Sequence, residues 1–368
     1  MSSGRGQFER ILAFRLARSG LAARGAGSLA EAAAPPASDF SRDAALLALA
    51  ARCDGVTRGG FDDAADRGDL VLAHVIRGAI HAVAPDDFAL LGRALIATDD
   101  EELGAQMGRQ VQRLAASSGL APTDALAEVA AATTGALVRG RALSKIELHE
   151  ELRGQVRAEL MPWCKGCGSH HVAPMLWRYG GVQAGVRLDS QRRYLLGKPG
   201  RAPAAAGAVR TYLRFYAPGT AADFAEWAGL AKPHAKRLWM DVEADLEEVS
   251  VGKRNGWVLS ADAPELDSPP EAAGIRLIPP GDPYLQRPNR SLLAPDPELR
   301  KRLFRPVASP GAVLKDGRLV GLWRVKAKGR KAEIAVEKLG RIARRDLEGE
   351  AERVADLRGA SAALLVVD

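Results

Sequence analysis

Apolar and polar positions repeat one plan three times along the chain, and its clearest copy lies over 208–259. Helical spacing predicts a helix over 209–216, stopped by Pro218-Gly219. Thr220 with Asp223 has the form of a capping box opening a second helix that reaches Leu230, and a third runs from about Pro233 to Leu246. Strand alternation then takes over in 248–259, two short strands around an Asn255-Gly256 turn. Three helices followed by a two-stranded wing is the winged-helix plan, and the third helix carries Lys232, His234, Lys236 and Arg237 near its start, where a recognition helix meets DNA.

The same order recurs upstream. Helical spacing covers 126–139; Ser144 with Glu147 predicts the capping box of a helix reaching Leu160; a third helix covers 170–184 and a wing 186–196. Nearer the N-terminus, helices over 8–19, 43–53 and 61–67 lead into the ribbon 71–88. In that ribbon Val75, Ala79 and Val83 share a parity with Arg77 and His81, while Leu72, Ile76 and Ile80 take the other, giving one apolar and one mixed face. Asp86 is the expected cap of the helix that follows, with Asp87 in its first turn. Arg77 and His81 suit ligand contact, and equally a local ion pair and a polar gap in a core.

Past Pro264 the pattern changes to Pro-rich loops and short strands. Asp316-Gly317 between 312–314 and 319–323 is a two-residue hairpin signal whose arms continue into the basic run 324–331; a helix over 341–357 and a strand over 362–367 close the chain. The expected division is therefore 1–120, 121–205, 206–263 and 264–368: three winged helices and a β-rich basic part, in an α+β fold.

Composition narrows the function. A chain of 368 residues, 47% apolar, holds several compact units and is not broadly disordered. No apolar run is long enough for a membrane span and the first residues lack a signal-type segment, so the expectation is a cytoplasmic, nucleoid-associated protein with no membrane partner. Three cysteines make no disulfide framework. The net charge is +7, and 300–345 holds fifteen Lys or Arg against three Asp or Glu. Such a segment can neutralise phosphates and release counterions, or form a solvated basic surface. Arg318, Arg324, Lys326, Lys328, Arg330 and Lys331 are its candidate DNA contacts. Phosphate loops, serine-hydrolase elbows and HExxH motifs are absent, which leaves nucleotide hydrolysis, esterase chemistry and zinc proteolysis without support.

Two further motifs have alternative readings. Cys164, Cys167, His170 and His171 offer zinc ligands, but a second half-site is missing, so a tight turn is the preferred reading and no metal or other cofactor is expected. Asp282 and Tyr284, with Gln286, Arg287, Asn289 and Arg290, form a dense polar loop that suits either DNA binding or local capping.

Four stretches, in this order, resemble the bacterial winged-helix DNA glycosylases of the AlkZ and YcaQ type: Ile76-Arg-Gly-Ala-Ile-His81 with Asp86-Asp87, Cys164-Lys-Gly-Cys-Gly-Ser-His-His-Val172, Gly281-Asp-Pro-Tyr-Leu285 with Asn289-Arg290, and Lys315-Asp-Gly-Arg-Leu-Val-Gly-Leu-Trp-Arg324. The resemblance implies three tandem winged helices, C-shaped around a DNA-sized concave surface. It also implies a monomer that excises bulky N7-alkylated purines, interstrand crosslinks among them, from double-stranded DNA without a cofactor. The family places a Gln-x-Gln or Gln-x-Asp motif before the helix that here begins near Asp43. This chain has Ala34-Pro-Pro-Ala-Ser-Asp-Phe40 there, lacking both glutamines, so Asp39 with Ser38 takes the catalytic place or the site only binds DNA. Gln110-Val111-Gln112 repeats the motif inside a predicted helix, where it is read as coincidence. Damage recognition without catalysis is the alternative function; transcription regulation fits less well, because non-identical tandem winged helices do not match a symmetric operator.

Overall fold

A computed structural model describes residues 2–41, 43–198 and 200–368, with side chains from Gly6 onward. It is an α+β protein whose contacts divide into two units: Met1–Phe61, Thr211–Thr220 and Asp245–Asp368 in the first, Asp62–Arg210 and Ala221–Ala244 in the second. Among the described residues no helix is long and apolar enough to cross a membrane.

The first unit is built on a five-stranded sheet in chain order, Ile275–Ile278, Gly311–Lys315, Arg318–Lys328, Lys331–Lys338 and Ala363–Val367. All pairs are antiparallel except the last. Strand alternation sends Ala332, Ile334 and Val336 inward, each at most 3% exposed, and leaves Lys331 and Glu337 outside. Asp316 and Gly317 both take positive φ (48° and 75°), as the tight hairpin predicted there requires. Trp323 is fully buried, its indole N–H donating to the Ile278 carbonyl at 2.8 Å. The apolar cluster beside it draws Leu16 and Leu21 from the N-terminal segment to Tyr284, Leu293, Leu314 and Leu322.

In the second unit the helices Pro122–Leu137 and Pro174–Ala184 pack closely, and Gly180 is what permits it: a Cβ there would stand 2.6 Å from Val129. Ser144 and Glu147 form the predicted reciprocal capping box on Lys145–Leu152. The antiparallel pair Val186–Leu188 and Tyr194–Leu196 follows, joined through Leu188 to a hairpin at Leu72.

Several expectations are corrected. The run 71–83 is not one ribbon: Val71–His74 and Ile80–Val83 fold back on each other through a turn at Ile76–Gly78, with Arg77 left-handed at φ 57°. Parity therefore does not bring Arg77 and His81 to one face. The next helix starts at Pro85 after Ala84, so Asp86 lies in its first turn rather than at the cap. The 254–259 wing turns at Gly252, not at Asn255-Gly256; Gly256 is instead needed where the strand passes Pro218, a Cβ there meeting that ring at 3.0 Å. The preceding helix ends at Met240 rather than Leu246. Helix Lys145–Leu152 stops short of Leu160, and His170 lies in a strand, not a helix. The basic arms form two hairpins, since Arg318–Lys328 turns at Gly329 and returns as Lys331–Lys338.

Candidate functional site

In the first unit the segment 34–41 delivers Asp39 to the start of the helix Ala44–Ala50. Asp39 is 3% exposed, and its Oδ1 accepts a hydrogen bond from the Ala45 N–H at 3.1 Å. That hydrogen bond ties the carboxylate to the first turn of the helix and fixes its orientation. Ser38 is half-buried on the strand Ala37–Ser38. Asp43 adopts a left-handed conformation (φ 74°) at the helix cap and is clasped by Arg58 at 2.5 Å and Arg358 at 3.5 Å. The Phe40 ring is 61% exposed and lies over Gly281, where a Cβ would come within 2.5 Å of it.

Beside this helix is a cavity of about 310 Å³, lined by Ser41, Ala44 and Leu47, by Pro279-Pro280, by Ala308, Ser309 and Gly311, and by Trp323, Arg324, Lys326 and Arg358. Arg324 donates to the Ala308 carbonyl at 2.5 Å, while Lys326 is exposed. An apolar floor with guanidinium and ammonium groups at its rim suits a flat aromatic group attached to phosphates. Lys328, Arg330 and Lys331 stand exposed at the tip of the neighbouring hairpin, Lys328 pairing with Glu333 at 3.0 Å. Arg318 is exposed beside the Asp316-Gly317 turn.

The polar loop 281–290 proves mostly internal. Asp282, Tyr284 and Asn289 are at most 1% exposed. Asn289 Oδ1 accepts from Arg15, whose guanidinium also donates to the carbonyls of Ala217, Pro218 and Pro288 at 2.9 Å each. Arg290 lays its guanidinium 4.7 Å from the Phe304 ring centroid, leaving Arg287 as the loop's exposed cation.

In the second unit Lys232, Lys236 and Arg237 are exposed on the helix Lys232–Met240. Arg237 is held at 2.5 Å by Glu102, so it is partly neutralised in place. Arg77 is exposed, its stem packed against Gly229. His81 is 5% exposed with Nδ1–H donating to the Ala79 carbonyl at 3.0 Å. Burial lowers its pKa to about 4, and nearby Arg77 and His74 add to the fall, so it is neutral at pH 7. It acts as a core histidine rather than a surface cation. The Gln110-Val111-Gln112 motif does sit in a helix, Arg109–Ser117, with Val111 buried.

Sequence reasoning missed the cavity and the Asp43 clasp. The cavity and the Arg358 side of the clasp join segments hundreds of residues apart, and no local spacing announces such contacts. Gly281 was visible as a turn residue, but not its pairing with Phe40.

Comparison with known proteins follows the same lines. Residues 36–357 match the family model described as "DNA glycosylase AlkZ-like". The chain is 35% identical over 128 residues to the interstrand DNA cross-link repair glycosylase of Streptomyces sahachiroi, an alignment covering 33% of this chain and 34% of that protein. It thus spans about a third of that relative's length. The solved structure of Streptomyces sahachiroi DNA glycosylase AlkZ is similar over 98% of both chains, with a TM-score of 0.75 at 22% identity, a likeness of fold.

Proposed function

Because the chain belongs to the AlkZ-like DNA glycosylase family, we propose that it binds duplex DNA and hydrolyses the N-glycosidic bond of bulky N7-alkylated purines, interstrand crosslinks included. The observation that carries this reading is Asp39, a buried carboxylate hydrogen-bonded to the start of the helix whose Ala44 and Leu47 line a cavity with Arg324 and Lys326. N7-alkylation already makes the purine a cationic leaving group, so the protein has only to stabilise positive charge developing on the sugar and position a water. The Asp39 carboxylate supplies the negative charge and Ser38 helps to hold the water. Lys326, Lys328, Arg330 and Lys331 grip the backbone, with Arg287, Arg318 and Arg77 as further cations and Lys232, Lys236 and Arg237 on a recognition helix. The helix and wing order in 121–205, with its capping box and terminal hairpin, supports a winged helix there, and the same plan is proposed for 1–120 and 206–263. Base release from duplex DNA carrying N7-alkylguanine tests the assignment: wild type frees the base and Asp39→Asn does not. Full release by Asp39→Asn removes Asp39 from the role.

A second reading, damage binding without excision, draws on the Asp39–Ala45 hydrogen bond, which makes the carboxylate a helix cap, and on the two missing glutamines. It predicts salt-sensitive duplex binding and no freed base from any of several adducts.

A further inference from the structure

The cysteine motif left unused above is arranged as a metal site. Trp163–Cys164 and Ser169–His170 form a two-stranded hairpin whose turn carries Cys167, with Gly168 at φ 60°. The Cys167 amide donates to the Cys164 carbonyl at 3.2 Å, closing the turn. His171 follows the hairpin directly. Its Nδ1–H donates to the Val172 carbonyl at 2.8 Å, which fixes the tautomer and leaves Nε2 as a bare lone pair. That Nε2 is buried and finds no hydrogen-bond partner. Ligand atoms of Cys164, Cys167 and His171 all lie within 4.8 Å of one another.

His149, on the helix Lys145–Leu152, supplies a second observation. It is 8% exposed and its ring stands 4.9 Å from the His171 ring, centroid to centroid. Neither of its nitrogens has a hydrogen-bond partner. Its ring also packs 4.9 Å from that of Trp177, but this contact leaves both buried nitrogens without the hydrogen bonds they had in water, and a metal ion would engage one of them. His170, the other sequence candidate, points elsewhere, its Nδ1–H bonded to the Met161 carbonyl at 3.0 Å.

We infer that Cys164, Cys167 and His171 hold a zinc ion, with His149 turning to complete a closed Cys2His2 set. Two soft thiolates with two imidazoles are a tetrahedral zinc donor set, whereas calcium and magnesium prefer oxygen. With Zn–S near 2.3 Å and Zn–N near 2.0 Å, tetrahedral ligand atoms stand about 3.3–3.8 Å apart, so the three side chains close by at most roughly 1 Å. Rotation of the exposed Cys167 side chain supplies much of that movement. The ion would tie the hairpin to the helix Lys145–Leu152, a structural role that needs no part in the chemistry at Asp39.

The test uses the full chain, purified under reducing conditions without a metal-affinity step. Elemental analysis is expected to find one zinc per chain. Cobalt replacement should give thiolate-to-metal charge transfer and the visible bands of a tetrahedral centre. Cys164→Ser should lose the metal with helical circular dichroism retained; should that variant not fold, the cobalt spectrum of wild type still reads the site. His149→Asn should weaken cobalt binding about tenfold or more; unchanged affinity would exclude His149 from the set. Wild type with only trace zinc, or with Cys164 and Cys167 joined as a disulfide after reducing purification, overturns the inference.

Discussion

Arg52 and Asp282, 230 residues apart, are joined by two parallel hydrogen bonds, Nη1 to Oδ2 at 2.7 Å and Nη2 to Oδ1 at 2.8 Å, with side chains 2% and 0% exposed. The remaining polar capacity is also used: Arg52 Nε donates to the Ser19 carbonyl at 2.7 Å, and Asp282 Oδ1 accepts from the Tyr284 N–H at 2.8 Å. The pair fixes the loop 281–290 to the turn that follows the helix Ala44–Ala50, and so holds Gly281 under Phe40. Removing one partner strands a buried charge, at a cost of about 3–5 kcal/mol. Asp282→Asn is therefore expected to lower unfolding stability by that order, measured by chemical denaturation. A loss below about 1 kcal/mol would place the pair among the weak ones.

Asp39 separates stability from activity. The amide oxygen of Asn still accepts from the Ala45 N–H, so Asp39→Asn should cost less than about 1 kcal/mol, whereas Asp39→Ala loses the cap at about 0.5–2 kcal/mol. Base release should fall in both variants to a similar level. Activity that tracks stability across the pair would mean that Asp39 only caps its helix.

The hairpin tip should govern salt dependence. Lys326, Arg330 and Lys331 are exposed; each that meets a phosphate contributes about 0.9 to the slope of log affinity against log salt. The triple alanine variant is expected to flatten that slope by up to about 2.7 while leaving stability unchanged, since none of the three is buried. Arg237→Ala should shift the slope less, because Glu102 already holds that guanidinium. Equal effects from both changes would remove the tip from its special place.

His81 sets an acid limit. Burial lowers its folded pKa to about 4, against about 6.5 in the unfolded chain. Between those values the unfolded state takes up a proton that the folded state refuses, so stability is full above about pH 6.5 and falls as pH drops toward 4. The shift corresponds to about 3 kcal/mol for the group. His81→Gln should flatten the decline over that window in denaturation series, and an unchanged profile would move the acid sensitivity to other groups, with His74 first among them because burial lowers its pKa to about 4 as well.

Local signals were legible wherever one residue's backbone preference decides the structure. The Ser144–Glu147 box and the Asp316-Gly317 turn stand where spacing put them. Asn255-Gly256 misled because Gly256 is needed for close approach to Pro218, a tertiary demand with the same letter as a turn. The run 71–83 misled because its turn uses Arg77 in a left-handed conformation that arginine seldom takes. At the candidate site, Asp39 and the basic run could be read from the sequence. The burial of His81, the Arg52–Asp282 pair and the choice of His171 over His170 depend on which distant segments meet.

The tip Lys328-Gly329-Arg330-Lys331 has a consequence apart from charge. Three sites for a trypsin-like protease, after Lys328, Arg330 and Lys331, lie there on an exposed turn around a glycine at φ 60°. The feature that offers itself to a phosphate backbone is thus also a place for a first nick, and a seated duplex would shield it. The rate of that cut, followed with and without DNA, turns the hairpin into its own reporter of occupancy.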